Sequence, residues 1–250
     1  MKKIILILFL SFNISAFAQN DRLSDYNNIN WIQTINTFHI NKKWSLHLEY
    51  QWRRIDGLKN WQQSILRTGA TYKLNENASV HAGYGWIETF PYGDYPIASA
   101  GTFPEHRLYE QLNLKQVLQK FTLTHRFRVE QRWLGKVKPG TTEDKREIEK
   151  WNYLNRFRYQ FRVQRSLWKH EEKELYLAGA DELLIGAGKN AGVNIFDQNR
   201  IFLMAGFTLN KHVSLEAGYL NQTLMQGTRI NGKTIMQRNN GLMMSCYTNF

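Results

Sequence analysis

Arginines at even spacing are the feature of this chain with the clearest chemistry. Arg126, Arg128 and Arg132 fall two and four residues apart, and so do Arg156, Arg158 and Arg162. Arg53 and Arg67 add two more, and Glu49, Glu130 and Glu216 fall at positions of the same parity in their own segments. A guanidinium stays charged at any ordinary pH and presents a planar fork of donors. Such a set either pairs with carboxylates in an internal ladder or holds an anionic solute. Catalysis would need a different constellation. His125 with Ser64 or Ser166 is the one imaginable hydrolytic group, and no Gly-x-Ser-x-Gly elbow accompanies it. The seven histidines show no ligand spacing, so the sequence assigns no metal, no cofactor and no catalytic residue.

The segments that carry these residues alternate with a period of two. In 121–133 the even positions are polar or charged, while Phe121, Leu123, Phe127, Val129 and Trp133 share the other parity. Segment 43–54 sets Trp44, Leu46, Leu48, Tyr50 and Trp52 against Ser45, His47, Glu49, Gln51 and Arg53. Segment 151–164 sets Tyr153, Phe157, Tyr159, Phe161 and Val163 against its arginines, and 79–90 and 212–224 follow the same rule. Alternation over about a dozen residues matches a tilted strand that crosses a bilayer in a closed barrel. The fold expected is all-β, a transmembrane antiparallel up-and-down β-barrel. A one-residue slip would turn the arginines to lipid at about 2–4 kcal/mol each near the midplane, which pins the register. Gly69, Gly83, Gly85 and Gly218 would make room for the guanidinium arms.

Turn signals divide the chain into hairpins with tight connections near 41–43, 75–77, 119–120, 168–173 and 210–211. Longer connections fall at 55–60, 91–105, 135–150, 187–196 and 225–237. Short on one side and long on the other is the asymmetry of outer-membrane barrels. The count is ten to twelve strands, with twelve favoured because single-chain bacterial barrels use even numbers. The twelfth would come from 21–28. Segments 106–118, 174–186 and 197–209 alternate less cleanly, and a bulge is expected in each. The turn-rich Pro91 to Pro96 reads as a rigid surface loop, and the charged stretch 136–150 as solvated surface or a contact with lipopolysaccharide.

The ends agree with export. Lys2 and Lys3, the apolar run 4–14 and the small-x-small triplet ending at Ala18 form a cleavable signal peptide over 1–18, so the mature chain begins at Gln19. Residues 19–250 then form one domain. Phe250 ends the chain on an aromatic residue, which reads as an insertion signal for the barrel-assembly machinery. Later segments contain no apolar run long enough for a helical span of about 18 residues. The mean hydropathy of −0.51 suits a barrel, whose apolar residues are diluted one-to-one by polar ones. Twelve Tyr, 14 Phe and 8 Trp suffice for aromatic girdles, and the single Cys246 excludes an internal disulfide. Net charge is +12, or +10 once Lys2 and Lys3 leave with the signal. For an exported chain that basicity points to inward arginines and anionic head groups rather than nucleic acid.

Glu105 to Gln111, His125 to Arg132, Asn155 to Tyr159, Phe196 to Arg200 and Glu216 to Tyr219 together resemble the domain of unknown function 2490 family of outer-membrane proteins. The resemblance implies a fold and a location in the cell outer membrane of a Gram-negative bacterium, and it brings no catalytic residue with it. Partners expected are outer-membrane lipid and lipopolysaccharide, the assembly machinery during insertion, and a small anionic solute if the lumen is open. Function is therefore read from the interior: a barrel with an arginine-rich lumen that is packed or narrowly open. An anion-selective channel for small acidic solutes is the alternative, and a lipid hydrolase the remote one.

Overall fold

The structure, a computed structural model, describes residues 22–97, 101–138, 140, 146–192 and 194–250. The expected signal segment, with Ala18 and Gln19 at its cleavage point, lies outside the described residues. Eleven strands follow one another: β1 (Arg22–His39), β2 (Trp44–Ile55), β3 (Asn60–Asn75), β4 (Ala78–Thr89), β5 (Phe103–Leu118), β6 (Phe121–Val137), β7 (Ile148–His170), β8 (Lys173–Ala187), β9 (Phe196–Thr208), β10 (Val213–Ile230) and β11 (Lys233–Asn249). Each pairs with its sequence neighbours, and β1 meets β11 to close the barrel.

The favoured twelve strands are not found. Residues 22–28 do not form a strand of their own but are the first half of one continuous β1. This has a topological consequence. Successive hairpins reverse direction, so an eleventh strand runs the same way as the first, and the seam between them is parallel. The register pairs Arg22 with Thr234, Trp31 with Met243 and Thr37 with Asn249. The barrel is therefore mixed, with ten antiparallel interfaces and one parallel one. The first residue of β1 lies at the long-loop end, whereas Phe250 lies at the short-turn end, where its N–H donates to Thr37 O.

Alternation sorts the side chains as the pattern requires. On β2, Glu49, Gln51 and Arg53 are buried in the lumen while Trp44, Leu46, Leu48 and Tyr50 are exposed on the outer wall. On β6 and β7, Arg128, Glu130, Arg156 and Arg158 are buried, whereas Phe127, Phe157 and Tyr159 are exposed. Register shifts fall mostly outside the three segments where bulges are expected, among them Arg53/Arg54, Lys73/Asn75, Lys136/Val137 and Met225/Arg229. Strand β5 pairs with both neighbours without a shift. Between β8 and β9 the register slips where Leu184 pairs with Gln198 and Ile185 with Phe196, leaving Asp197 as the extra residue. Another slip lies between Ser166 and Trp168, low on β7.

Two connections differ from expectation. The stretch 225–237 is not a long loop: β10 and β11 run on to a two-residue turn at Asn231 and Gly232, with φ of 50° and 78°. Asn-Gly is the residue pair such a turn favours, because both positions need positive φ. The segment from Pro91 to Pro96 keeps most of its residues at the surface, as expected of a loop, but it buries Tyr92 and is tied down across the mouth. It crosses the long-loop mouth as a strap against β1, β10 and β11. The Tyr92 hydroxyl donates to Gln237 Oε1 at 3.1 Å, and Gln226 Nε2 donates to Tyr95 O at 2.6 Å. Gly93 has φ of 76°, and a Cβ there would lie 2.3 Å from Asp25 Oδ2, so only glycine allows the approach.

The lumen is not uniformly charged. Ile29, Trp31, Tyr176, Ala178, Ala180, Phe202, Met204 and Leu220 form an apolar cluster on β1, β8, β9 and β10, with Tyr92 of the strap against it. The charged residues concentrate on β5, β6 and β7. Of the four glycines expected to make room for arginine, only Gly85 faces one, Arg67, with Cγ 3.3 Å from where its Cβ would be. Gly69 and Gly83 accommodate His81 and Tyr109 instead, and Gly218 lies against the backbone of Leu203.

The parallel seam makes a specific prediction. Thr34 and Cys246 are register partners on the outer wall, so Thr34→Cys should form an oxidisable disulfide with the native Cys246, seen as a mobility shift that reductant reverses. A chain that stays uncrosslinked while Thr34→Cys and Cys246 both react with maleimide would contradict the eleven-strand closure.

Candidate functional site

Strand β6 places Arg126, Arg128, Glu130 and Arg132 on the lumen side, and β7 brings Arg156, Arg158 and Arg162 opposite them. Glu130 pairs in register with Arg156, and Arg128 with Arg158. Two arginines directly across a ladder repel each other, so a carboxylate has to stand between them. Glu130 fills that role. It is fully buried and lies 2.7 Å from Arg158 Nη1, 2.6 Å from Arg156 Nη2, 3.4 Å from Arg107 Nη1 and 3.7 Å from Arg128 Nη1.

The network continues on both sides. Glu105 receives Arg107 and Arg132, each at 2.7 Å. Glu182 receives Arg158 at 2.6 Å, Arg126 at 2.7 Å and Arg200 at 3.4 Å. Arg156 also reaches Asp197 at 2.9 Å, which the bulge on β9 turns inward. Glu49 pairs with Arg67 at 2.5 Å, and Glu216 holds Arg162 together with the hydroxyls of Tyr176 at 2.8 Å and Tyr247 at 3.0 Å. Arg53 has no carboxylate within ion-pair range. Its donors go to Gln51 and Gln63, and its guanidinium stacks 3.5 Å from the centroid of Trp31.

Two cavities lie along the axis. The upper one, about 240 Å³, sits beneath the strap. The lower one, about 580 Å³, widens toward the short-turn end and is bordered by Arg126, Arg128 and Arg162. Arg53, Arg67, Arg158 and Arg200 border both, so these four guanidinium groups form a septum between them.

All the charged positions singled out from the sequence lie on the inner side of the wall. Arg107, Glu105, Glu182, Arg200 and Asp197 were missed. Their strands also carry His106, Glu110, Asp181 and Asn199 on the outer wall, which hides the alternation in the sequence. The i, i+2 pair Glu105 and Arg107 was the one available signal. His125 lies on the outer wall with Nδ1 2.9 Å from the Tyr159 hydroxyl, and Ser64 bonds Tyr50 at 3.3 Å. Phe250 stacks on Phe38 at 5.9 Å and on His212 at 5.8 Å.

Residues 28–233 match the model of a family described as protein of unknown function (DUF2490). The chain belongs to the DUF2490 family. The match takes in β2 to β10 whole, and with them every strand of the ion-pair network. No curated protein and no solved structure matches this DUF2490 chain. Among its described residues no group of histidines, cysteines and acids could hold a metal ion.

Because Glu130 neutralises several buried arginines at once, Glu130→Gln should destabilise this DUF2490 barrel by about 3–5 kcal/mol, the cost of leaving buried charge unpaired. Urea unfolding of the refolded protein in lipid would measure it. The exposed pair Lys73 and Glu76 serves as reference, and Glu76→Gln should leave the midpoint where it was.

Proposed function

We propose that this protein is an outer-membrane β-barrel whose lumen is closed to free diffusion, a filled barrel and not an open pore. Two observations support the reading: the strap from Pro91 to Pro96 lies across the long-loop mouth, and the four arginines of the septum border both cavities below it. An ion-pair ladder of this extent fixes side chains that an open channel would leave solvated.

The outer wall supports the membrane placement. Leu46, Leu48, Phe127, Leu177, Leu203 and Leu215 are exposed there, a belt far larger than a soluble surface tolerates. Above the belt runs a ring of outward polar residues. Arg54, Glu110, Asp181, Asn199, Asn221 and Asn240 each stand eight to ten residues from the short-turn end of their strands. They are satisfied by lateral hydrogen bonds, Glu110 with Gln131 at 3.1 Å, Asp181 with Asn199 at 2.5 Å and Asn221 with Asn240 at 2.7 Å. At about 2.5 Å of height per residue in a tilted strand, the apolar belt is about 20–25 Å tall, the thickness of an outer-membrane hydrocarbon layer. Below it Phe38, Trp44, Phe121, Trp168, Phe207 and Phe250 form an aromatic belt at the short-turn end. In this placement the short turns face the periplasm, lipid and lipopolysaccharide are the surrounding partners, and the mature chain follows export and assembly-machinery insertion. The proposal assigns it no catalytic step.

Planar-bilayer recording tests the closure. Wild type and a variant lacking 91–97 should both be silent, because the septum remains when the strap is gone. The strap deletion combined with Arg53→Gly and Arg200→Gly should conduct. Steady ohmic current from the wild type would show the lumen to be open, and recovery of the protein in the soluble periplasmic fraction would sink the membrane placement.

A further inference from the structure

Three arginines that border the lower cavity share one arrangement, though of their glutamine partners Gln51 alone lies in that cavity's lining and Gln198 lies in the upper one's. Arg53 directs both Nε and Nη2 at the single amide oxygen of Gln51, at 2.9 and 2.6 Å. Arg128 does the same to Gln111, at 2.8 and 2.5 Å, and Arg200 to Gln198, at 3.0 and 2.6 Å. The guanidinium fork matches the two oxygens of a carboxylate or phosphate. Here each fork closes on one neutral oxygen, and the carboxylates nearest Arg128 and Arg200 stand off at 3.7 and 3.4 Å, so the charge is met only in part.

The balance of charge points the same way. Seven arginines border the lower cavity, against Glu49, Glu182 and Glu216. Glu216 serves Arg162 at the bottom, and Glu49 serves Arg67. Glu182 is divided among Arg126, Arg158 and Arg200, the last only at 3.4 Å, and Glu130, outside the cavity lining, adds a pair to Arg158 at 2.7 Å and a longer one to Arg128 at 3.7 Å. Arg53 and Arg200 both lie against Trp31, at 3.5 and 5.2 Å from its ring centroid. Arg128, 7 % exposed, leaves Nη1 without a hydrogen-bond acceptor. Like charges held this close in a low-dielectric lumen leave a strong positive potential over the cavity.

We infer that the lower cavity is a binding site for a small multiply charged oxyanion, a phosphate or a dicarboxylate, taken up by the forks of Arg53 and Arg128 in exchange for their glutamine oxygens, with Arg200 adding its charge. Replacing a neutral acceptor with a charged one strengthens each bond about twofold. The site opens toward the short turns, so the ligand is a water-soluble solute that enters from that end and stops at the septum. The inference rests on the closed lumen proposed above and makes it a receptacle.

Calorimetric titration of the refolded, detergent-solubilised full barrel with inorganic phosphate and with succinate tests this, with chloride as the monovalent control. Phosphate or succinate should bind and chloride should not compete at equal concentration. Gln111→Glu places a built-in carboxylate on the Arg128 fork while keeping the size of the side chain, so it should weaken binding at least tenfold, equivalent to about 1.4 kcal/mol. Arg53→Gln should do the same at the other fork. A wild-type barrel that binds neither probe overturns the site, and so does binding that Gln111→Glu and Arg53→Gln leave unchanged. Bilayer conductance is scored separately: a barrel that conducts and still binds refutes closure without touching the site, and a silent barrel that binds nothing refutes the site alone.

Discussion

A guanidinium group withdrawn from bulk water keeps its charge, so each arginine inside this barrel has to find acceptors within the wall that encloses it. Most of what is distinctive in the structure answers that demand. Glu130 stands between arginines that the ladder would otherwise oppose directly. A bulge on β9 turns Asp197 inward to meet Arg156. Where carboxylates run out, glutamine oxygens and the faces of Trp31 and Tyr109 take their place. The ion pairs are therefore not independent decorations of separate strands. Glu105, Glu130 and Glu182 link β5 to β9 through shared arginines, so a loss at one is felt along several interfaces.

The distribution of acceptors also divides the lumen. Charge is densest on β5 to β7, while β8 to β10 and β1 carry an apolar cluster that Glu182, Asp197, Arg200 and Glu216 interrupt. Trp31 lies at the border, with an apolar ring for the second group and a π-face for Arg53 of the first. The septum forms where the two halves meet across the axis, since long guanidinium arms from β2, β3, β7 and β9 all reach the same level there. The strap across the upper mouth is held by contacts of another kind: Tyr92 donates to Gln237, Asn239 donates to Tyr92, and Gln237 and the Tyr95 N–H donate to the Asp25 carboxylate.

Closure through a parallel seam bears on the chain's ends. Because β1 and β11 run the same way, the two termini of the barrel lie at opposite rims. The seam is lined by hydrogen-bonding side chains, with Asn27 donating to Asn239 and Gln33 to Ser245, which adds side-chain pairing to a ladder slightly weaker per residue than its antiparallel counterparts.

Strand-long alternation was legible without coordinates, because a residue in such a wall chooses between two solvents and its parity records the choice. That was enough to place Arg53, Arg128, Arg156 and Arg158 inward and Phe127 and Phe157 outward, and to suggest a closed barrel of about the right size. It failed where polar residues also occur on the outer wall, as at Glu110, Asp181 and Asn199, since hydrogen-bonded pairs across neighbouring strands hide which face is which. The number of strands, the path of Pro91 to Pro96 and the partner of each arginine were likewise out of reach. Each depends on residues far apart in the chain meeting across the axis, Gly93 with Asp25 or Arg200 with Trp31, and a local pattern of periods and turns contains no record of such meetings. Folding the wall into a ring is what brings them together.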